Sequence, residues 1–163
     1  MAVWNQSRIE PARWQLDWQG IRNGDYSDRY FWNGARILQQ LAQEGYLFAG
    51  YSPRLAQQGL DPQLPEPIGD MRVEMQFFAR RKPFTVVAGV DAALAILNYA
   101  TGYFEDERFV NKAHLLEVEA VHDGYLAPYE GDPSQVVPVL KVRGRYRDFA
   151  LLETPLLGVL TRM

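Results

Sequence analysis

The chain has 163 residues and a mass of 18.7 kDa, the size of one domain able to bury roughly two thirds of its unfolded surface. Its 47% hydrophobic and 23% charged residues exclude a disordered or collagen-like chain, and no stretch is long and apolar enough to span a bilayer. A formal net charge of −3 argues against a whole-surface nucleic-acid binder, while the lack of cysteine excludes disulfides, thiolate metal sites and cysteine nucleophiles.

The first residues, MAVWNQSRIEPARW, lack the apolar core and cleavage site of a secretory signal, so the expected location is cytoplasmic. Up to residue 26 the apolar residues show no clean period and predict irregular structure with at most one short strand or turn of helix. From Ser27, a competent N-cap, Phe31, Leu38 and Leu41 recur at helical spacing, and Gly45 supplies a left-handed stop. A helix over about 28 to 44 is expected. Residues 52 to 70 hold four prolines and two glycines and predict an exposed loop. Alternation of Met71, Val73, Met75, Phe77 and Ala79 with polar neighbours predicts a half-buried strand over 71 to 79. A short strand over 85 to 87 follows, then a helix over about 90 to 100 with an apolar stripe of Val90, Ala93, Leu94, Leu97 and Ala100. Residues 115 to 121 alternate again, turns are expected at 122 to 124 and 129 to 135, and a strand over 136 to 146 is expected to break at Pro138.

Asp148 is the N-cap candidate for a last helix running to Met163, in which Pro155 should cause a kink. Its apolar residues, Phe149, Leu152, Leu156, Val159 and Leu160, lie on several sides, so protein is expected on both sides of it and the chain reads as cut short.

Chemistry-bearing motifs are sparse. His114 and His122 do not make a metal-ligand spacing, and no nucleophile elbow, dinucleotide fingerprint or Walker loop occurs, so neither catalytic nor metal residues are assigned. Seven of the 17 Lys and Arg fall in two runs, Arg80-Arg81-Lys82 and the alternating Lys141, Arg143, Arg145 and Arg147. The alternation places four cations on one strand face, which can hold a phosphate or carboxylate or can be a solvated outer face. Asp28 and Tyr30 can orient and stack a flat heterocycle, or can be an ordinary acidic helix start with a core-facing ring.

Taken in order, these segments resemble the N-terminal half of a nicotinate phosphoribosyltransferase, over about residues 27 to 163. Ser27-Asp28-Arg29-Tyr30 is similar to the family's Ser/Thr-Asp-x-Tyr helix start. Phe78-Ala79-Arg80-Arg81-Lys82-Pro83-Phe84 resembles its F-x-R-x-x-P-F signature, and Ala88-Gly89-Val90 the helix start that follows. Ala127-Pro128-Tyr129-Glu130-Gly131 approximates its A-x-P-E-G turn, with Tyr129 as an extra residue. Val142-Arg143-Gly144-Arg145-Tyr146-Arg147-Asp148-Phe149 with Glu153-Thr154 is the most specific match and is similar to the branch with archaeal members. The stretch FWNGARIL departs from the family's usual continuation of the first helix.

The resemblance implies an α+β fold: a single domain over 1–163, an N-terminal α/β sandwich with a hammerhead-like mixed sheet and packed helices. The phosphoribosyltransferase barrel that completes such enzymes would lie outside these residues. It also implies nicotinate and phosphoribosyl pyrophosphate as substrates, a head-to-tail homodimer, and no nucleic-acid or membrane partner. Mg²⁺ is the implied cofactor of the complete enzyme, with ATP as an open addition, and neither is assigned to residues of this chain. By the same carry-over Asp28 and Tyr30 would lie beside the pyridine ring, and Arg80, Arg145 and Arg162 are the candidates for substrate anions. Glu153, Thr154 and the Thr161-Arg162 end would adjoin the barrel, and the chain alone is expected to be inactive. The alternative is a non-catalytic binding or interaction module with a biotinyl- or lipoyl-like hammerhead sheet, whose mark would be a modifiable lysine, Lys112 or Lys141, at a hairpin tip.

Overall fold

The computed structural model describes residues 8–48, 57 and 67–161. Helix α1 (Trp18–Asn23) opens where the Asp17 carboxylate accepts a bond from the Gly20 amide at 2.9 Å and closes at Gly24, whose φ of 81° is left-handed. The segment before it, expected to be irregular, is fastened to the body of the fold. Arg8 donates to the buried Asp91 carboxylate at 2.9 Å and to the carbonyls of Ala120 and Val121. Helix α2 (Arg29–Gln43) agrees with the expected span to a residue at each end. Asp28, not Ser27, is its N-cap, and the Asp28 side chain makes no capping bond. The proline-rich stretch lies largely outside the described residues and ends in a 3-10 turn, Ile68–Asp70.

Beyond it come β1 (Arg72–Phe78), β2 (Phe84–Val86), α3 (Val90–Ala100), β3 (Gly102–Glu105), β4 (Arg108–Asn111), β5 (Glu117–Ala120), β6 (Leu126–Pro128) and β7 (Pro138–Arg145). Strands β1, β7 and β5 form one sheet with β7 in the centre; β2 pairs with β6 and β3 with β4. Each of these pairings is antiparallel, so the described strands do not make the mixed sheet expected. Pro138 begins β7 instead of breaking it, a position where its missing donor is tolerated.

Across the three-stranded sheet Leu140 stands opposite Phe77 and Ala120, and Val142 opposite Met75 and Val118. Helix α3, apolar because both its neighbours are protein, covers this core with Val90, Ala93, Ile96, Leu97 and Ala100. Phe149, Leu152, Leu156 and Leu160 complete it. Gly89 has φ 84°, and a Cβ there would collide with the Val159 carbonyl, so the start of α3 meets the last helix backbone to backbone. The Asp123 carboxylate accepts the first free amide of α3, that of Val90, at 2.8 Å.

The expected last helix is two pieces. A single turn, α4 (Tyr146–Phe149), runs through 3-10 residues 150–152 into α5 (Glu153–Leu160). Pro155 therefore stands in the first turn of α5, where its absent N–H costs no intrahelical bond and no kink is required. Asp148 is no N-cap: it is buried within α4. Nor is α5 apolar on all sides with nothing to cover it, since Leu156 and Leu160 are buried in this chain's own core and only Leu157 is a large exposed apolar residue there. Helices packed on antiparallel strands in this way make the expected α+β fold. Among the described residues no helix is long and apolar enough to cross a membrane.

Candidate functional site

The first turns of α2 and α5 meet, although 126 residues separate Asp28 from Thr154. The Asp28 amide donates to Thr154 Oγ1 at 3.2 Å, and that hydroxyl donates to Asp28 Oδ2 at 3.2 Å. Tyr30, two residues along in the same first turn, keeps 65% of its surface exposed while its ring lies 4.0 Å from that of the buried Phe31. This corrects the core-facing reading of Tyr30: helical period puts Phe31 and Ala35 inward, which turns Tyr30 outward.

Glu153 and Tyr146 complete the corner. Burial, and then the charge of Asp28, push the Glu153 carboxyl above the ordinary carboxylate range. The Tyr30 phenol is pushed up by partial desolvation, then by Glu153 and Asp28. Tyr146 follows, raised by burial, Glu153 and Tyr30. Among the described residues no cation is paired with Asp28 or Glu153. The corner thus offers an exposed ring, a carboxylate and a carboxyl that keeps its proton to higher pH than usual. It can stack a flat ring and both accept and donate hydrogen bonds. Tyr146 is the last residue of the strand expected over 136 to 146; its membership of this corner depends on the turn at α4, which begins at Tyr146 and carries no strong local signal.

The four-cation face has a different character. Lys141 lies 4.0 Å from Glu119, and Arg143 pairs with both Glu74 and Glu119. Arg145 binds the buried Asp148 at 2.9 Å and Asp70 at 3.2 Å, and Arg147, which has left the strand for α4, binds Asp70 at 2.8 Å. The Arg147 hydrogen bond holds the Asp70 carboxyl below its ordinary value, with Arg145 adding to the effect. The outer face of the sheet is therefore a ladder of ion pairs. Its strand neighbours β1 and β5 place Glu74, Glu117 and Glu119 opposite the cations, so register brings the pairs together.

Arg80 is exposed just past β1, its guanidinium 5.0 Å from the Phe78 ring. Arg162 lies outside the described residues. Of the five candidate binding residues, then, Asp28 and Tyr30 share one corner, while Arg145 turns to Asp70 and Asp148. Among the described residues no three His, Asp or Glu side chains converge on a metal position. Lys141 lies within β7, and Lys112 follows β4 with its ammonium 5.5 Å from the Tyr103 ring; the β3–β4 tip is Asp106–Glu107, without the lysine a carrier module requires.

A family model described as quinolinate phosphoribosyl transferase, N-terminal domain, matches residues 63–163. The chain belongs to this family. The assignment is to the type II phosphoribosyltransferases and does not reach the nicotinate enzymes in particular. The chain is also similar to a solved structure titled nicotinate-nucleotide pyrophosphorylase from Pyrococcus furiosus, at 20% identity and a TM-score of 0.48. The match covers 93% of this chain and 28% of that one. No curated protein matches the chain.

Proposed function

We propose that the chain is the N-terminal part of a phosphoribosyltransferase of NAD biosynthesis, one that joins the ring nitrogen of a pyridine carboxylate, nicotinate in the first instance, to the phosphoribosyl group of phosphoribosyl pyrophosphate. The family match over residues 63–163 carries this reading. Displacement of pyrophosphate from the anomeric carbon passes through an oxocarbenium-like state, so rate depends on holding the nitrogen in line and neutralising the departing charge. A covalent nucleophile is not required. The share of this chain is to position the base: the exposed Tyr30 ring stacks on the pyridine, and Asp28, fixed by Thr154, orients it. Arg80 and Arg162 are the proposed partners of substrate anions, while Arg145 is engaged by Asp70 and Asp148. Phosphate handling and any Mg²⁺ belong, in this proposal, to a barrel domain supplied in a head-to-tail homodimer.

In the complete enzyme, Tyr30→Ala is expected to raise KM for the pyridine acid about fivefold, with kcat changed less and Tyr30→Phe restoring most of the loss, from the size of an aromatic pair interaction. An unchanged KM removes Tyr30 from the site. The 163-residue chain alone is expected to release no pyrophosphate from phosphoribosyl pyrophosphate in the presence of nicotinate or quinolinate. Turnover by it overturns the division of labour.

A further inference from the structure

Helix α2 and the β3–β4 hairpin enclose a groove of about 1060 Å³ that begins at Trp32 and includes neither Asp28 nor Tyr30. Arg22, Trp32, Arg36, Tyr103, Phe104 and Arg147 line it, together with amide side chains of α2. Its cations are held in an unusual way. Arg36 lies 4.6 Å from the centre of the Trp32 ring, and Arg29 lies 4.9 Å from the same ring. Arg22 donates from Nε to the Tyr99 carbonyl at 2.9 Å and lies 4.8 Å from the Phe109 ring. The Trp32 indole lies against the left-handed Gly24, where a Cβ would meet its Cδ1 at 2.9 Å.

Among the described residues neither Arg22 nor Arg36 has a carboxylate partner, whereas Arg147 has Asp70. A guanidinium oriented by ring faces and a carbonyl keeps most of its five N–H donors for another acceptor. The acids of the groove stand at its limits. Glu44 is eight residues from Arg36, roughly 12 Å along the helix, and Asp106 is at the hairpin turn. Between them lie two oriented forks, aromatic walls and amides, a set that matches a tetrahedral or planar oxyanion in a bidentate way.

We propose that this groove binds a phosphate-class oxyanion, free or carried on a small phosphorylated molecule, through Arg22 and Arg36 beside the Trp32 ring. The test is calorimetric titration of the full 163-residue chain with inorganic phosphate, pyrophosphate, a nucleoside monophosphate and the matching nucleoside, with the Trp32 indole resonance as a local reporter. Saturable binding of at least one phosphate-bearing ligand is expected, together with a shift of that resonance and no binding of the nucleoside. Tighter binding of the monophosphate than of the inorganic ions assigns a carried phosphate; the reverse assigns a free one. Arg36→Gln should weaken binding about tenfold, the loss of one charge-assisted bond. Because Arg36 is exposed, this variant keeps its fold even if Arg22→Gln, which loses the Tyr99 anchor, does not. Saturation by none of the phosphate ligands, or undiminished affinity in Arg36→Gln, overturns the proposal. The readout needs no turnover, so its failure is distinct from failure of the transferase reading.

Discussion

Asp70 and Glu153 are both partly buried carboxyls beside α4, and the fold shifts them in opposite directions. Asp70 faces Arg145 and Arg147, whose hydrogen bonds and charges hold it ionised to lower pH. Glu153 is desolvated beside another acid, Asp28, and holds its proton to higher pH. The first region is complete in itself: every charge has a partner that the sheet register or α4 supplies. The second keeps its charge mismatch open to solvent next to an exposed ring. Charge run alone would point to the first region as the binding site. Pairing points to the second, because a ligand gains little from cations already spent on carboxylates.

The largest expected effect comes from breaking the complete region. Arg145→Met leaves Asp148, with a side chain only 2% exposed and Oδ1 already without a partner, as a buried charge lacking its cation. A loss of about 3 kcal/mol in unfolding free energy is expected, read from the urea midpoint, with Arg145→Lys losing less. If Arg145→Met instead keeps its stability and the complete enzyme loses affinity for its anionic substrates, the contrast between the two regions fails and Arg145 belongs with the binding residues.

Next come the pH profiles, which should run in opposite senses. Asp70 is depressed in the fold, so its stabilisation is complete above the unfolded carboxylate value near pH 4 and is lost as pH falls through the lower folded value. Asp70→Asn should flatten the acid limb of the stability curve. Glu153 is raised, so its contribution is present below the unfolded value and is lost as pH rises through the folded one. Glu153→Gln should therefore stabilise the chain at neutral pH and change little in acid. Asp28→Asn should lower the Glu153 carboxyl toward its ordinary value in an NMR titration, since Asp28 supplies the charge part of the shift. Parallel profiles for Asp70→Asn and Glu153→Gln would show that the two regions do not differ as described.

Much of this was legible in the sequence where periodicity is long. Helices α2 and α3 and strands β1 and β7 carry two or more full repeats of their period, and their bounds fall within about two residues of those expected. The β3–β4 hairpin was not legible. Its turn is made by Asp106 at φ 53° without the glycine that marks most such turns, and its four-residue strands are too short to show alternation. The end of the chain misled for a different reason. Pro155 reads as a kink only if the helix has begun at Asp148, and the break at residues 150–152 that resets the helix start depends on Leu152 and Phe149 reaching the core. For the site, Asp28 and Tyr30 stood out by motif, but the partners that define their corner, Thr154, Glu153 and Tyr146, arrive from the far end of the chain. The pairing of the four cations was equally hidden, because Glu74 and Glu119 become their neighbours only through strand register.

The smallest expected effect tests the surface of the complete region. Arg143 pairs with Glu74 and Glu119 on the solvent side of β7, and its own guanidinium is strengthened as a base by the Glu119 and then the Glu74 hydrogen bond. An exposed pair of this kind gains little over its hydrated, separated partners, because water and salt screen the attraction and two long side chains lose freedom. Arg143→Ala should lower Tm only slightly, and the difference from the parent chain should shrink further at high salt. Arg145→Met should instead keep most of its deficit at high salt, because the Asp148 it strands is shielded from ions. A deficit for Arg143→Ala as large and as salt-resistant as that of Arg145→Met would mean that the outer ladder behaves as an interior, and the distinction between spent and open charge would then have to be drawn within the ladder itself.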